Sequence, residues 1–392
     1  MPVLLQINAT SNWGSTGKIV EQIGRLALTR GWKVDVAYGR YWNPSQLGMI
    51  KVGRKLNPYF HYLTSLFWDA EGLGSRLCTR RLIKKIKSIN PDIVHLHNIH
   101  DHWLNYRILF EYLNATDIKV VWTFHDCWAF TGHCFHFAFK GCDKWKVLCD
   151  DCPLTRVYPK SCIDRSKRNY LLKKKFFSVN KNLTIVACSD WIARYVGESF
   201  LREKKHIVIH NGIDTELFSP VMSQTKQSGY NILAVSNVWN REKGIDDIFR
   251  LREMLPSDYL ITMVGLSKEQ LKDLPEGIIG FERTSTVADL IRLYSDADVF
   301  INTSYAETFP TVNLEALSCG TPVITYNTGG SPETIDDTTG IVVPCGDVEA
   351  FANAIKNLRI NPLNPADCRN RAVERFDKQN FIKYVNLYES LI

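Results

Sequence analysis

The sequence predicts an α/β protein of two doubly wound, Rossmann-like domains. Short apolar runs alternate with helical stretches through both halves of the chain, and the alternation is interrupted once, near its middle. Its 392 residues suffice for two domains, each with its own core.

In the first half Val3–Asn8, Val34–Tyr38, Ile93–His97, Val120–His125, Thr184–Ser189 and Ile207–Ile209 read as strands. Gly17–Arg30 and Leu77–Lys87 are among the helices between them. Within Asp214–Tyr230, Pro220, Ser223, Ser228 and Gly229 replace the apolar periodicity, as a linker does. The scheme resumes with Asn231–Val235, Leu260–Val264, Val299–Asn302, Val323–Tyr326 and Ile341–Val343, and Phe376–Ile392 reads as a last amphipathic helix. The expected division is residues 1–217, residues 218–375 and a terminal helix over 376–392. Ligands of open α/β sheets bind outside the carboxyl ends of the strands, so two facing sheets imply a site in a central cleft.

Hydrophobic residues make up 45 % of the chain and charged residues 23 %, the balance of a soluble globular protein. No apolar run nears the roughly 18 residues that span a bilayer. Met1–Ala9 lacks a basic leader and reads as a first strand. Eleven cysteines without a secretion signal point to a reducing compartment, so a cytoplasmic location is expected.

The net charge of +7 hides an asymmetry. Residues 1–220 carry 32 Lys and Arg against 18 Asp and Glu, while residues 221–392 carry 16 against 23. Basic and apolar residues interleave at helical spacing in Arg80–Lys87 and Arg165–Lys175. Each is either a solvated helix face or a basic amphipathic helix on an anionic membrane, with nucleic acid the least favoured partner.

The first strand–helix turn, Ser11–Lys18, is not a P-loop: Gly14 is too close to Gly17 and Lys18, and Ile19 follows the lysine. Gly14 and Gly17 still let the backbone approach a ligand closely, or else serve only a tight turn. Tyr305–Gly330 reads as a loop running into a helix between two short strands, with Pro310 at the first helical position and Gly320 and Pro322 as stop signals. A helix N-terminus suits a phosphate. Glu307 just before it and Glu315 one to two turns in would repel a phosphate unless they bind something else, such as sugar and ribose hydroxyls. The alternative is a surface helix with two solvated glutamates.

Together with Lys243-Gly244, Tyr294–Asn302, Gly320-Thr321-Pro322 and Gly329-Gly330, this unit resembles the retaining GT-B glycosyltransferases of glycosyltransferase family 4. The resemblance covers nearly the whole chain. His97-Asn98, Trp122–His125, His133-Cys134 and Asn211–Asp214 make it most similar to bacterial enzymes that build capsule or exopolysaccharide repeats. It implies GT-B architecture, with the last helix crossing back to the first domain. It implies transfer of a sugar from a nucleoside diphosphate sugar, UDP- or GDP-linked, to a hydroxyl of a saccharide acceptor, with retention. A lipid-linked acceptor would favour the membrane reading of the basic segments, on the inner face of the plasma membrane.

By the resemblance, Glu315 would hold the ribose, Glu307 the donor sugar, and the backbone of Thr308, Phe309, Pro310 and Thr311 the sugar or diphosphate. Lys243 would neutralise the diphosphate, the largest electrostatic effect available without a metal. The family's usual arginine before this lysine is replaced by Ser236, Asn237 and Val238, leaving Arg241 as the substitute. The Gly14–Gly17 loop would face the donor phosphates or the acceptor, and Gly265 and Phe281–Arg283 the nucleobase. His125 and Asp126 would lie beside the donor sugar and the acceptor, and one of His97, Asn98, His100 and Asp101 would bind acceptor hydroxyls. No enzyme nucleophile of the usual retaining kind is evident, so attack from the face the diphosphate leaves is implied, without a catalytic metal held by an Asp-x-Asp pattern.

Cys134, Cys142, Cys149 and Cys152, spaced C-x7-C-x6-C-x2-C in an aromatic loop over Thr131–Pro153, have no place in glycosyl transfer. They are either the ligands of a structural zinc ion, pinning a loop with little core of its own, or reduced, partly buried thiols. His133 and His136 are substitute ligands, and Cys127 and Cys162 lie near enough to confuse the count. Two rival functions remain: a nucleotide-sugar hydrolase or epimerase of the same fold, and a zinc-knuckle nucleic-acid-binding protein, which would leave Glu307 and Glu315 unexplained.

Overall fold

A computed structural model describes residues 1–222 and 228–392. Ser223, one of the residues marking the expected linker, lies outside the described residues. The chain forms two compact units, Met1–Asn211 with Phe381–Ile392, and Gly212–Asn380.

The first unit is a parallel sheet of seven strands: β1 Val3–Asn8, β2 Lys33–Tyr38, β3 Gly48–Lys51, β4 Ile93–Leu96, β5 Lys119–Phe124, β6 Leu183–Ala187 and β7 Lys205–Val208. Their order is β3-β2-β1-β4-β5-β6-β7, which reverses between β1 and β4. The register runs Val3 opposite Lys33 and Leu4 opposite Ile93. Strands β4 and β6 are buried on both faces, hence continuous apolar runs rather than alternating ones. Ile19, Ile23 and Ala27 of the Gly14–Thr29 helix pack against Leu4, Val34 and Val36.

The second unit is a six-stranded parallel sheet: β8 Tyr230–Val235, β9 Tyr259–Val264, β10 Ile278–Phe281, β11 Val299–Asn302, β12 Val323–Tyr326 and β13 Gly340–Val343. Its order, β10-β9-β8-β11-β12-β13, reverses between β8 and β11. Both units are therefore doubly wound, with a crevice at the carboxyl ends of the strands flanking each reversal.

The differences from the sequence expectation lie at edges and ends. Strands β3 and β10 are not among the expected strands because GMIK and IIGF are short, each includes a glycine, and neither shows clean alternation. The Phe376–Ile392 helix is broken: Lys378–Phe381 forms a tight turn and Ile382–Glu389 the helix, with Tyr384 and Tyr388 fully buried in the first unit. In the basic segment Arg165–Lys175, Lys173 turns inward, so the Ser166–Phe177 helix is not an uninterrupted basic face. The Thr131–Pro153 loop has more core than expected, since its Phe137 and Trp145 are buried and pack on each other, on Phe130 just before the loop and on Tyr195.

Candidate active site

In the second unit the crevice is built from three loops. After β8, Asn240 accepts from the Lys243 backbone and caps the Arg241–Lys243 turn. Gly244 follows with φ +70°, and a Cβ there would come 2.1 Å from the Thr303 carbonyl oxygen, so only glycine fits. After β11, the Thr303 hydroxyl donates to the carbonyls of Lys243 and Gly244, and the Tyr305 N–H to that of Glu242. The two loops are thereby stitched together, bringing Lys243 Nζ within 2.5 Å of Glu307 Oε1.

The third loop follows β12. Gly330 N–H donates to the Thr308 carbonyl, and a Cβ on Gly329 would collide with the Glu307 carbonyl oxygen. Beneath them Asn302 donates to Asn313, which donates to Thr334, all buried. The helix begins at Thr311, one residue later than expected, with Pro310 in the cap position and no side-chain cap. A proline side chain cannot supply that cap; the Asn313 N–H turns back to the Pro310 carbonyl, and the N–H groups of Thr311 and Val312 are left for another partner. The hydroxyls of Thr308 and Ser331 are buried with no hydrogen-bond partner among the described residues. Glu315 Oε2 accepts from the buried Tyr294 hydroxyl at 2.9 Å.

The remaining predicted residues of this unit are spread around that core. Arg241 is 93 % exposed and pairs with Asp246, away from Glu307. Gly265 has φ +102° and packs against the Ser236 carbonyl. Its N–H donates to the Phe281 carbonyl, while the Phe281 ring is exposed. Phe309 is buried against Phe376. The chain does contain one Asp-x-Asp, Asp296 to Asp298, but Asp298 accepts from the Asn231 backbone and so ties β11 to β8. Sequence reasoning assigned no role to Tyr294, Asn302, Asn313 or Ser331. Only the hydrogen bonds of the first three, and the Ser331 hydroxyl, partnerless among the described residues, distinguish them from ordinary core residues.

In the first unit, the ends of β4 and β5 carry linked histidines. Gln6 donates its amide to the Val20 carbonyl, so its Oε1 accepts from His97 Nε2. Neutral His97 then accepts at Nδ1 from His125 Nε2–H, 3.1 Å away, leaving Nδ1 as the acceptor nitrogen of His125. Burial pushes the His125 pKa down to about 4 and that of His97 well below its ordinary value, so both are neutral at physiological pH. His95 is bonded to Thr123 and to Tyr388 of the last helix.

Both oxygens of Asp126 are engaged, one by His100 at 2.8 Å and one by the Trp128 N–H. Although burial opposes its charge, His100 and the neighbouring donors hold Asp126 down at about 2. Asp101 is bound by Arg40 and Tyr158, and Asn98 N–H donates to Asn8. Gly14 (φ +66°) starts the first helix, and a Cβ on Gly17 would press 2.8 Å from the Thr10 hydroxyl, so Gly17 is required where helix and loop meet.

Two crevices of parallel α/β units, one with an uncapped helix start flanked by a lysine and two glutamates, define a glycosyltransferase of GT-B architecture. Residues 16–217 match the family described as Glycosyltransferase Family 4, and residues 222–375 the family described as Glycosyl transferases group 1. The chain belongs to glycosyltransferase family 4 and is thus a transferase of sugars. A putative colanic acid biosynthesis glycosyl transferase, WcaC, of Escherichia coli is 26 % identical over 326 residues, 78 % of either chain. Among solved structures, sucrose-phosphate synthase from Thermosynechococcus elongatus superposes with a TM-score of 0.73 at 18 % identity, covering 100 % of this chain and 99 % of its own. Anabaena Alr3699/HepE in complex with UDP and glucose superposes with a TM-score of 0.66 at 15 % identity, covering 100 % of both chains.

Proposed function

We propose that the protein moves a sugar from a nucleoside diphosphate sugar to a hydroxyl of a saccharide acceptor, with retention, in the assembly of a surface polysaccharide. The observation that carries this is the convergence of Lys243, Glu307 and two unpartnered buried hydroxyls on an uncapped helix start. A diphosphate fits there: the ammonium and the helix N–H groups stabilise the charge that grows on it as it leaves. Glu307 would hold the sugar and Glu315, oriented by Tyr294, the ribose. His125 Nδ1 is suited to accept from a sugar hydroxyl. The C1–O bond to the diphosphate breaks while the acceptor oxygen bonds C1 on the same face, and the acceptor proton passes to the departing diphosphate. The residues thus position, neutralise charge and exclude water. The likeness to a colanic acid enzyme supports polysaccharide assembly, and the HepE complex makes UDP the first nucleotide to try.

An anionic membrane surface as the place of action is supported by the Asn57–Trp68 helix, where Tyr59, Phe60, Phe67 and Trp68 are exposed. His61 of this helix is bonded to Gly74 and Ser75, which lead into the Arg76–Ile89 helix, where Arg80, Arg81, Lys84 and Lys85 are exposed. Aromatic residues beside basic ones suit the headgroup region. No helix among the described residues is long and apolar enough to cross a membrane.

Thermal-shift measurements with UDP, GDP, ADP and dTDP, with and without EDTA, test the donor site. A nucleotide at about 100 times its Kd adds roughly 2.7 kcal/mol. UDP is expected to stabilise the protein and Glu315→Ala to abolish the shift. Stabilisation by none of the four, or a shift that survives Glu315→Ala, contradicts the assignment.

A further inference from the structure

The Thr131–Pro153 loop holds a group of residues that sugar transfer does not use. Its pocket is lined by His133, Cys134, Cys142, Cys149 and Cys152. All eleven cysteines of the chain are free. The Gly132 N–H donates to Cys149 Sγ at 3.2 Å.

Two buried groups nearby lack what they need. His133 Nδ1 lies 2.6 Å from Asp69 Oδ1, yet His133 Nε2, buried, has no hydrogen-bond partner among the described residues. Lys173 is 1 % exposed; its Nζ donates to the carbonyls of Trp128 and Thr131 and lies 3.6 Å from the centre of the Trp128 ring. It makes no ion pair among the described residues, and Asp69 and Asp126 act on it only from a distance. A buried ammonium is costly unless compensated.

We propose that Cys134, Cys142, Cys149 and Cys152 bind one structural zinc ion through four thiolates, with the Asp69–His133 pair and Lys173 as its outer shell. Four thiolates around Zn²⁺ make a centre of net charge −2, which adds to Asp69 and Asp126 in compensating the buried Lys173 ammonium. A metal-bound sulfur supplies His133 Nε2–H with its missing acceptor, while Asp69 fixes the ring from the other side. Binding releases the thiol protons to solvent. Among the described residues no three of these donor atoms lie within 4.8 Å of one another. A tetrahedral site with Zn–S near 2.3 Å brings its sulfurs to about 3.8 Å, so the ion draws the loop closed. The chemistry is separate from the proposed donor site, and its test does not depend on turnover.

The experiment is metal analysis and thiol titration of tag-free, full-length protein grown with zinc. About one zinc per chain is expected, with four further thiols becoming titratable when a chelator removes it. Cobalt in place of zinc should give thiolate-to-cobalt bands of four-sulfur character. Cys149→Ser should lose the metal, Cys345→Ser should keep it, and His133→Gln should keep the stoichiometry while weakening affinity about 10- to 100-fold. Well under one zinc per chain in the unmutated protein, or no additional thiols on chelation, overturns the proposal irrespective of whether any variant folds. A Cys134–Cys152 disulfide in freshly purified protein, or cobalt bands of three-sulfur character, overturns it equally.

Discussion

Replacing Glu307 with glutamine should separate nucleotide binding from sugar recognition. Glu307 holds Lys243 at 2.5 Å, with the two side chains 16 % and 31 % exposed. Before a diphosphate can use the ammonium, this pair must loosen. A partly exposed pair is worth about 0.5–1 kcal/mol, so Glu307→Gln should tighten UDP binding by about 2- to 5-fold. UDP-sugar behaves differently, because the carboxylate is also the proposed acceptor for sugar hydroxyls. A hydrogen bond to a charged group contributes about 1.5–3 kcal/mol, and losing it outweighs the gain, so UDP-sugar binding should weaken. Lys243→Ala removes the cation and should weaken UDP by about 10- to 100-fold for a contact of that size. Isothermal titration of UDP and UDP-sugar against the three proteins reads all of this without an acceptor. If Glu307→Gln weakens UDP as much as UDP-sugar, or Lys243→Ala leaves UDP affinity unchanged, the assignment of these two residues is wrong.

Three further outcomes are expected. Tyr294→Phe removes the donor that orients Glu315, so UDP affinity should fall about 5- to 10-fold, from a hydrogen bond of about 1–1.5 kcal/mol, while Glu315→Ala costs more; equal affinity in Tyr294→Phe and the unmutated protein would show that Glu315 needs no orienting. Burial holds His61 and His125 at about 4 and His95 and His97 well below their ordinary value, so the unfolded chain takes up protons that the native one refuses as pH falls below about 6.5. The contribution of these four is therefore full above that pH and drops below it by up to about 1.4 kcal/mol per pH unit for each histidine. It outnumbers the opposite contribution of His100 and His133, whose pKa values Asp126 and Asp69 raise against burial, so Tm should fall; a Tm that stays level from about pH 7 to about pH 5 rules this out. Phe60→Ser with Trp68→Ser, residues 65 % and 51 % exposed, should lower binding to anionic vesicles at least about tenfold and leave the melting temperature unchanged; undiminished sedimentation with vesicles would remove the membrane reading.

Most of the fold was legible in the chain because a parallel strand buried on both faces must be written as an apolar run. Val299–Asn302 and Val323–Tyr326 are found at the expected residues for that reason. The edge strands Gly48–Lys51 and Ile278–Phe281 were not legible, since GMIK and IIGF each include a glycine and show no clean alternation, whereas the edge strands Lys205–Val208 and Gly340–Val343 overlap apolar runs that do show in the sequence. The basic run Arg165–Lys175 does not reveal the inward turn of Lys173, because charge in a sequence does not say which lysine is buried.

By itself the sequence determined which residues are available for chemistry: Lys243, Glu307, Glu315, His125 and four cysteines in one loop. Residue type and local spacing suffice for that, since a loop after a strand must end at the carboxyl edge of the sheet. Only the tertiary structure decided what each group is bonded to. Glu307 meets Lys243 across 64 residues, Glu315 meets Tyr294 across 21, and Asp69 meets His133 across 64. Such pairings rest on how loops from separate crossovers are stitched at the sheet edge, by contacts such as Thr303 to Gly244 and Gly330 to Thr308. Hydrogen bonds of that kind leave almost no trace in side-chain pattern, nor does the Gln6–His97–His125 chain that places the proton on His125, nor the Nε2 of His133, partnerless among the described residues.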